Sequence, residues 1–122
     1  KEMVKDIFMR QYALFQTPSS TFYEMDYEEY FRNIHKEKIG VYFYDGDHNR
    51  IHQLRALEYA EPFWAQNAYI MIDDTNDQGI YDVTFGFMSR SKEEYAPVFN
   101  EKTPNMGHPT FWNGLLIFKK LS

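Results

Sequence analysis

Two short runs of the chain are apolar almost without interruption, IGVYFYD from Ile39 to Asp45 and AYIMIDD from Ala68 to Asp74. Runs of this length suit strands buried on both faces. Between them the apolar positions change period: Ile51, Leu54, Leu57, Ala60 and Trp64 recur at intervals of three or four along one stripe. That spacing predicts a helix, and the segment is long enough to cross over and return a second strand parallel to the first. The rest of the chain is arranged around this strand–helix–strand unit. Val4, Ile7, Phe8, Leu14 and Phe15 predict a helix from Lys1 to Gln16, closed by the TPSS turn. Thr21 to Met25 reads as a short strand. Asp26 with Glu29 three residues on has the form of a capping box, and Tyr27, Tyr30, Phe31 and Ile34 continue it as a second helix to about His35. Ile80, Val83, Phe87 and Met88 predict a further helix with Asp77 as its cap. APVFNE and FWNGLLIFKKL, separated by a loop rich in proline and glycine, predict an antiparallel hairpin closing one edge of the sheet. Within it Asn113 and Gly114 mark a bulge, and Trp112 reads as a core residue.

The chemistry sits where the two central runs end. If the strands are parallel neighbours, their carboxyl ends share the edge at which open α/β sheets bind ligands. The first ends in DGDH, residues 45–48, and the second in DDTND, residues 73–77. Adjacent strands lie about 5 Å apart, so Asp45 can converge with Asp73 and Asp74. Crowded carboxylates repel, a bound cation compensates them, and an all-oxygen set suits Mg, Ca or Mn. Each acid also has a plainer reading as a helix cap or a solvated side chain, and Asp47 in particular stands where a cap for the crossover helix belongs. Two familiar metal patterns fail. HNRIH lacks the glutamate of a zinc-protease helix, and an EF-hand loop begun at Asp74 has Phe85 where its twelfth residue must be a bidentate glutamate.

Composition narrows the partners. A net charge of −5 with pI near 5.3 offers no basic stripe for a phosphate backbone, so nucleic acid is not expected. Cysteine is absent, which removes disulfides, thiolate nucleophiles and cysteine-based zinc sites. No apolar run approaches a membrane span, and the expectation is a cytoplasmic protein without a membrane partner. The 122 residues make one domain, and because Lys1 already lies inside a predicted helix the chain reads as a piece of something longer.

The order of motifs, EMDYEEYF, then IGVYFYDGDH, then a helix leading through AEPFW to AYIMIDDTND, then FWNGLLIFKK, resembles the C-terminal part of class I S-adenosylmethionine-dependent methyltransferases, in particular O-methyltransferases with DGDH after the fourth strand and DD after the fifth. The resemblance implies a Rossmann-like α/β fold: a mostly parallel sheet with crossover helices, a C-terminal antiparallel hairpin, and no first or second strand. It implies S-adenosylmethionine as donor, with Asp26, Tyr27 and Asp45 on the donor side. Asp45, Asp73 and Asp74 would hold Mg or another divalent cation, and His48 or Asp47 would be the base that takes the proton from the hydroxyl of a small molecule or sugar. The departure is the glycine-rich donor loop: none of the six glycines forms a GxG. Two other classes of function compete. One is a non-catalytic α/β module that self-associates as a homo-oligomer through the surface the absent strands leave uncovered; the other is a metal-dependent hydrolase using the same acids.

Overall fold

The computed structural model describes residues 3–104 and 113–122, and Trp112 lies outside them. The elements in chain order are α1 (Val4–Phe15), α2 (Tyr27–Asn33), β1 (Ile39–Tyr44), α3 (Arg50–Ala60), a single 3-10 turn (Glu61–Phe63), β2 (Trp64–Asp73), α4 (Gln78–Arg90), β3 (Tyr95–Glu101) and β4 (Leu115–Lys120). The four strands form one sheet in the order β1-β2-β4-β3. β1 and β2 are parallel, as their apolar runs predict, with Tyr42 opposite Ile70 and Tyr44 opposite Ile72. β4 lies antiparallel between β2 and β3, so the C-terminal hairpin closes the sheet on that side. This is an α/β fold of truncated Rossmann-like form, in which one pairing is parallel and two are antiparallel.

The core lies between one face of the sheet and the helices. Ile70 and Ile72 from β2 and Leu116 and Phe118 from β4 meet Leu57 and Ala60 of α3 and Ile80, Phe87 and Met88 of α4. Phe31 of α2 stacks beside Tyr42 of β1 and Phe63 on the same side. Three expectations need correction. The central runs are not buried on both faces: on β1 the side chains alternate, and Val41 and Phe43 are 62% and 52% exposed. α3 turns a different stripe inward, since Ile51 is 61% exposed while Gln53 and Ala56 are buried with Leu57 and Ala60. Gln53 is tolerated there because its Nε2 donates to Thr84 Oγ1 at 3.1 Å and that hydroxyl donates to the Ile80 carbonyl at 2.8 Å, so no polar atom of the pair is stranded. Trp64, placed on the same stripe by its spacing, instead opens β2.

The third correction concerns Thr21–Met25, which is not a strand. The segment folds back along α1 instead of joining the sheet, with Phe22 against Phe8 and Tyr12 and Glu24 2.8 Å from Lys5. Among the described residues, no helix is long and apolar enough to cross a membrane.

Candidate functional site

The carboxyl edge of the β1–β2 pair brings the predicted acids together. Asp45 leaves β1 and Asp73 ends β2, and Asp74 follows with its backbone in the left-handed region at φ 60°. One carboxylate oxygen from each of Asp45, Asp73 and Asp74 lies within 4.8 Å of the others. Oxygens on opposite sides of a Ca²⁺ ion, at about 2.4 Å each, stand roughly 4.8 Å apart, and those around Mg²⁺ about 4.2 Å apart. The donor set therefore fits a hard divalent cation, with a small inward shift for the smaller ion. Asp73 carries the electrostatic consequence. Burial holds its carboxyl above the usual carboxylate range, and the charges of Asp74 and Asp45 add to that against the opposing pull of the Asp74 backbone.

His48 joins this group. Its Nε2 is 2.8 Å from Asp74 Oδ2, and this bond is the chief cause that holds the imidazole above its ordinary value. With Nε2–H given to a carboxylate, Nδ1 is the nitrogen left to accept a proton, and among the described residues nothing occupies it. Asp47 stands apart: it is not one of the converging acids, and it does not cap α3 either. Asn49 does that, accepting from the amides of Ile51 and His52. The Asp47 backbone instead hydrogen-bonds the Tyr44 hydroxyl, which folds over Gly46 into space that any side chain there would fill.

The DDTND loop divides its labour between site and scaffold. Asp77 caps α4 through the Ile80 amide at 3.1 Å, as predicted. Asn76 holds the start of the β3–β4 connection, donating to the Thr103 carbonyl at 2.7 Å and accepting from the Thr103 amide at 2.9 Å. Its own amide donates to the Asn113 carbonyl at 3.0 Å. Asn113 in turn donates from Nδ2 to Asp74 Oδ1 at 2.8 Å, so both oxygens of Asp74 are held, one by His48 and one by Asn113. Asn113 is a site residue that its bulge reading misses. The signal was topological: β4 runs antiparallel to β2, so the residues before β4 return to the same rim, where Leu115 faces Asp73. Gly114 makes that approach possible. Its φ is +87°, and a Cβ there would sit 2.7 Å from the Asn76 amide nitrogen.

Asp26 and Tyr27 occupy a second position, at the start of α2. Asp26 Oδ1 accepts the Glu28 amide at 2.8 Å, capping the helix. Tyr27 packs edge-on against Tyr44 and shares a 3.1 Å hydrogen bond with His52 Nδ1. Burial, chiefly, pushes its phenol well up. Tyr23, Met25, Tyr27 and Tyr30 line a cavity of about 330 Å³ beside Asp26.

No protein-family description matches the chain. No curated protein matches it in sequence. In three dimensions it is similar to the crystal structure of a putative O-methyltransferase from Klebsiella pneumoniae, with a TM-score of 0.60 and 13% sequence identity over 84% of this chain. The match takes in 50% of that protein, so the chain spans half the length of the structure it resembles. At that identity the likeness establishes a methyltransferase-like α/β fold.

Proposed function

We propose that this chain is the C-terminal, acceptor-side part of an S-adenosylmethionine-dependent methyltransferase that transfers a methyl group to a hydroxyl of a small molecule or sugar with the help of a divalent cation. The observation that carries this reading is the convergence of Asp45, Asp73 and Asp74 with His48 on one rim of a methyltransferase-like sheet. The three acids would hold the cation, which when bound supplies Lewis acidity toward a hydroxyl oxygen. His48 is suited to take the hydroxyl proton at Nδ1, because Asp74 fixes its ring through Nε2 and steadies the imidazolium that results. Asn113 keeps Asp74 in the rotamer that serves both roles.

The donor fits the chain in part. The aromatic cavity beside Asp26 suits an adenine ring, and Asp26 Oδ2, which has no partner among the described residues, suits its amino group. Residues 1–38 of this sequence contain no glycine, so the glycine-rich loop that would hold the ribose and the amino-acid end is not among the described elements. The test is calorimetry with S-adenosylmethionine and Mg²⁺ on the full-length gene product, and with Mg²⁺ or Ca²⁺ on this chain. Cation uptake lost in Asp45→Asn and Asp73→Asn, together with donor binding to the full-length product, is expected. Absence of heat from both donor and cation would sink the reading.

A non-catalytic module that self-associates is the second reading, and one observation favours it. β1 is an edge strand without a single charge, preceded by Lys36, Glu37 and Lys38 and followed by Asp45 and Asp47. Antiparallel pairing of β1 with β1 of a second copy would set the lysine end of each strand against the aspartate end of the other, while parallel pairing would oppose like charges. Light scattering decides this: a dimer that Val41→Lys dissociates supports the module, and a monomer at all concentrations removes it.

A further inference from the structure

The opposite, amino edge of the sheet holds a cavity of about 540 Å³. The chain as a whole is acidic, with 13 Lys and Arg against 18 Asp and Glu. The cavity reverses that balance: Lys38, Arg90, Lys92 and Lys120 line it, against Glu61 and Glu93. These cations arrive from four places in the chain, ahead of β1, at the end of α4, just past α4, and at the end of β4. Their juxtaposition is a product of the fold and leaves no local motif.

The charges in the cavity are unevenly satisfied. Glu61 is committed to the scaffold, its Oε2 accepting from Ser91 Oγ at 2.6 Å and from the Tyr95 hydroxyl at 2.5 Å. Glu93 lies 3.6 Å from Lys120, and Lys120 also donates to the Ser122 carbonyl. Lys38 donates to the Pro62 carbonyl at 3.3 Å, a bond that leaves its charge uncompensated. Arg90 and Lys92 have neither an ion pair nor a hydrogen bond among the described residues. The Arg90 guanidinium lies back over Gly86, where a side chain would meet it at 2.9 Å. A third unsatisfied group is neutral. Trp64 forms part of the cavity wall and is 1% exposed, and its indole Nε1–H, itself buried, has no acceptor among the described residues. Buried donors without acceptors are rare in folded proteins and are usually met by an ordered water or ion.

We propose that this cavity is a binding site for a small phosphate monoester, with Arg90 and Lys92 on the phosphate oxygens and the Trp64 ring in the wall beside them. Two uncommitted cations with Lys38 beside them match a dianion better than a single carboxylate, and guanidinium and ammonium groups are the usual phosphate ligands. The volume exceeds that of phosphate alone and lies in the range of small-molecule sites, so the ester's organic part has room. A polyanion is disfavoured, because the positive charge is confined to one cavity on a molecule of net charge −5. The site is independent of the acidic rim, which lies at the other end of the strands.

The sequence contains two tryptophans, so a ¹⁵N-labelled sample gives two indole signals, and Trp112→Phe identifies that of Trp64. Inorganic phosphate and glycerol phosphate are titrated in turn against chloride at matched ionic strength. The Trp64 indole is expected to shift saturably with both phosphates and not with chloride. In a variant carrying Arg90→Gln and Lys92→Gln, both surface positions, the midpoint should rise by about tenfold or more, the loss of charge-assisted hydrogen bonds. Asp45→Asn should leave the midpoint unchanged. An unmoved Trp64 indole, an equal response to chloride, or a midpoint indifferent to the double variant overturns the site.

Discussion

Ile70 and Tyr69 are adjacent in β2, yet the first has no exposed surface and the second is 42% exposed. The contrast runs across the sheet. Tyr42, Ile70 and Phe118 stand in one row under the helices, and Val41, Tyr69 and Lys119 stand in the corresponding row on the far side. One row further, Tyr44, Ile72 and Leu116 are answered by Phe43, Met71 and Ile117. Both faces are largely apolar here, Lys119 apart, and one has a layer packed on it. Apolar sequence therefore states which surfaces can be buried, whereas burial itself depends on what the chain brings to cover them.

The largest effect expected from this contrast is on the covered face. Ile70→Ala removes a fully buried side chain from the core that holds Leu57 and Phe118 and should lower unfolding free energy by about 3 kcal/mol, read from urea denaturation midpoints. Next comes the rim. Gly114→Ala forces a Cβ into the left-handed region and against the Asn76 amide, and should cost about 2 kcal/mol. Because the same turn delivers Asn113 to Asp74, this substitution should also weaken cation binding, which separates it from a defect confined to the core.

The acidic rim gives a smaller effect with a definite pH dependence. The Asp73 carboxyl is held above its unfolded value by burial and by its acidic neighbours, so the folded state takes up that proton more readily than the unfolded chain does. The stability this contributes is complete below the unfolded carboxylate pKa and is lost as pH rises through the folded one. A divalent cation replaces the proton, so its stabilisation should run the other way. At pH 7.5 Ca²⁺ at ten times its dissociation constant should add about 1.4 kcal/mol, seen as a higher Tm. The gain should shrink as pH falls through the Asp73 transition and be absent in Asp73→Asn.

Much of the fold was legible because its signals are local. Two continuous apolar runs, a change of period between them and a turn-rich break before the last strand are enough to place β1, α3, β2 and the hairpin. The acids were legible for the same reason, each standing directly at a strand end. What escaped depends on partners distant in the chain. Thr21–Met25 has strand-like residues but packs along α1 instead of joining the sheet. The inward stripe of α3 includes Gln53, whose burial makes sense only with Thr84 beside it. The cap of α3 is Asn49 and not Asp47, whose backbone is engaged by the Tyr44 hydroxyl from an earlier strand position. Asn113 reached the site through the topology of β4, and the cations of the amino edge are scattered along the chain from Lys38 to Lys120.

The smallest expected change tests the open face most sharply. Phe43→Ser exchanges a large aromatic for a small polar residue at a position 52% exposed, on the side of β1 away from the helices. If that face meets solvent, the loss should be about 0.5 kcal/mol, the usual scale of surface substitutions, and independent of protein concentration. If a second copy covers β1, the same substitution uncovers an interface, and the loss should approach that of Ile70→Ala at high concentration and fall away on dilution. Urea midpoints measured at protein concentrations a hundredfold apart distinguish these outcomes. A large, concentration-independent loss would contradict both, because it would mean that the chain packs a layer of its own against Val41 and Phe43. The contrast between the two faces would then no longer hold.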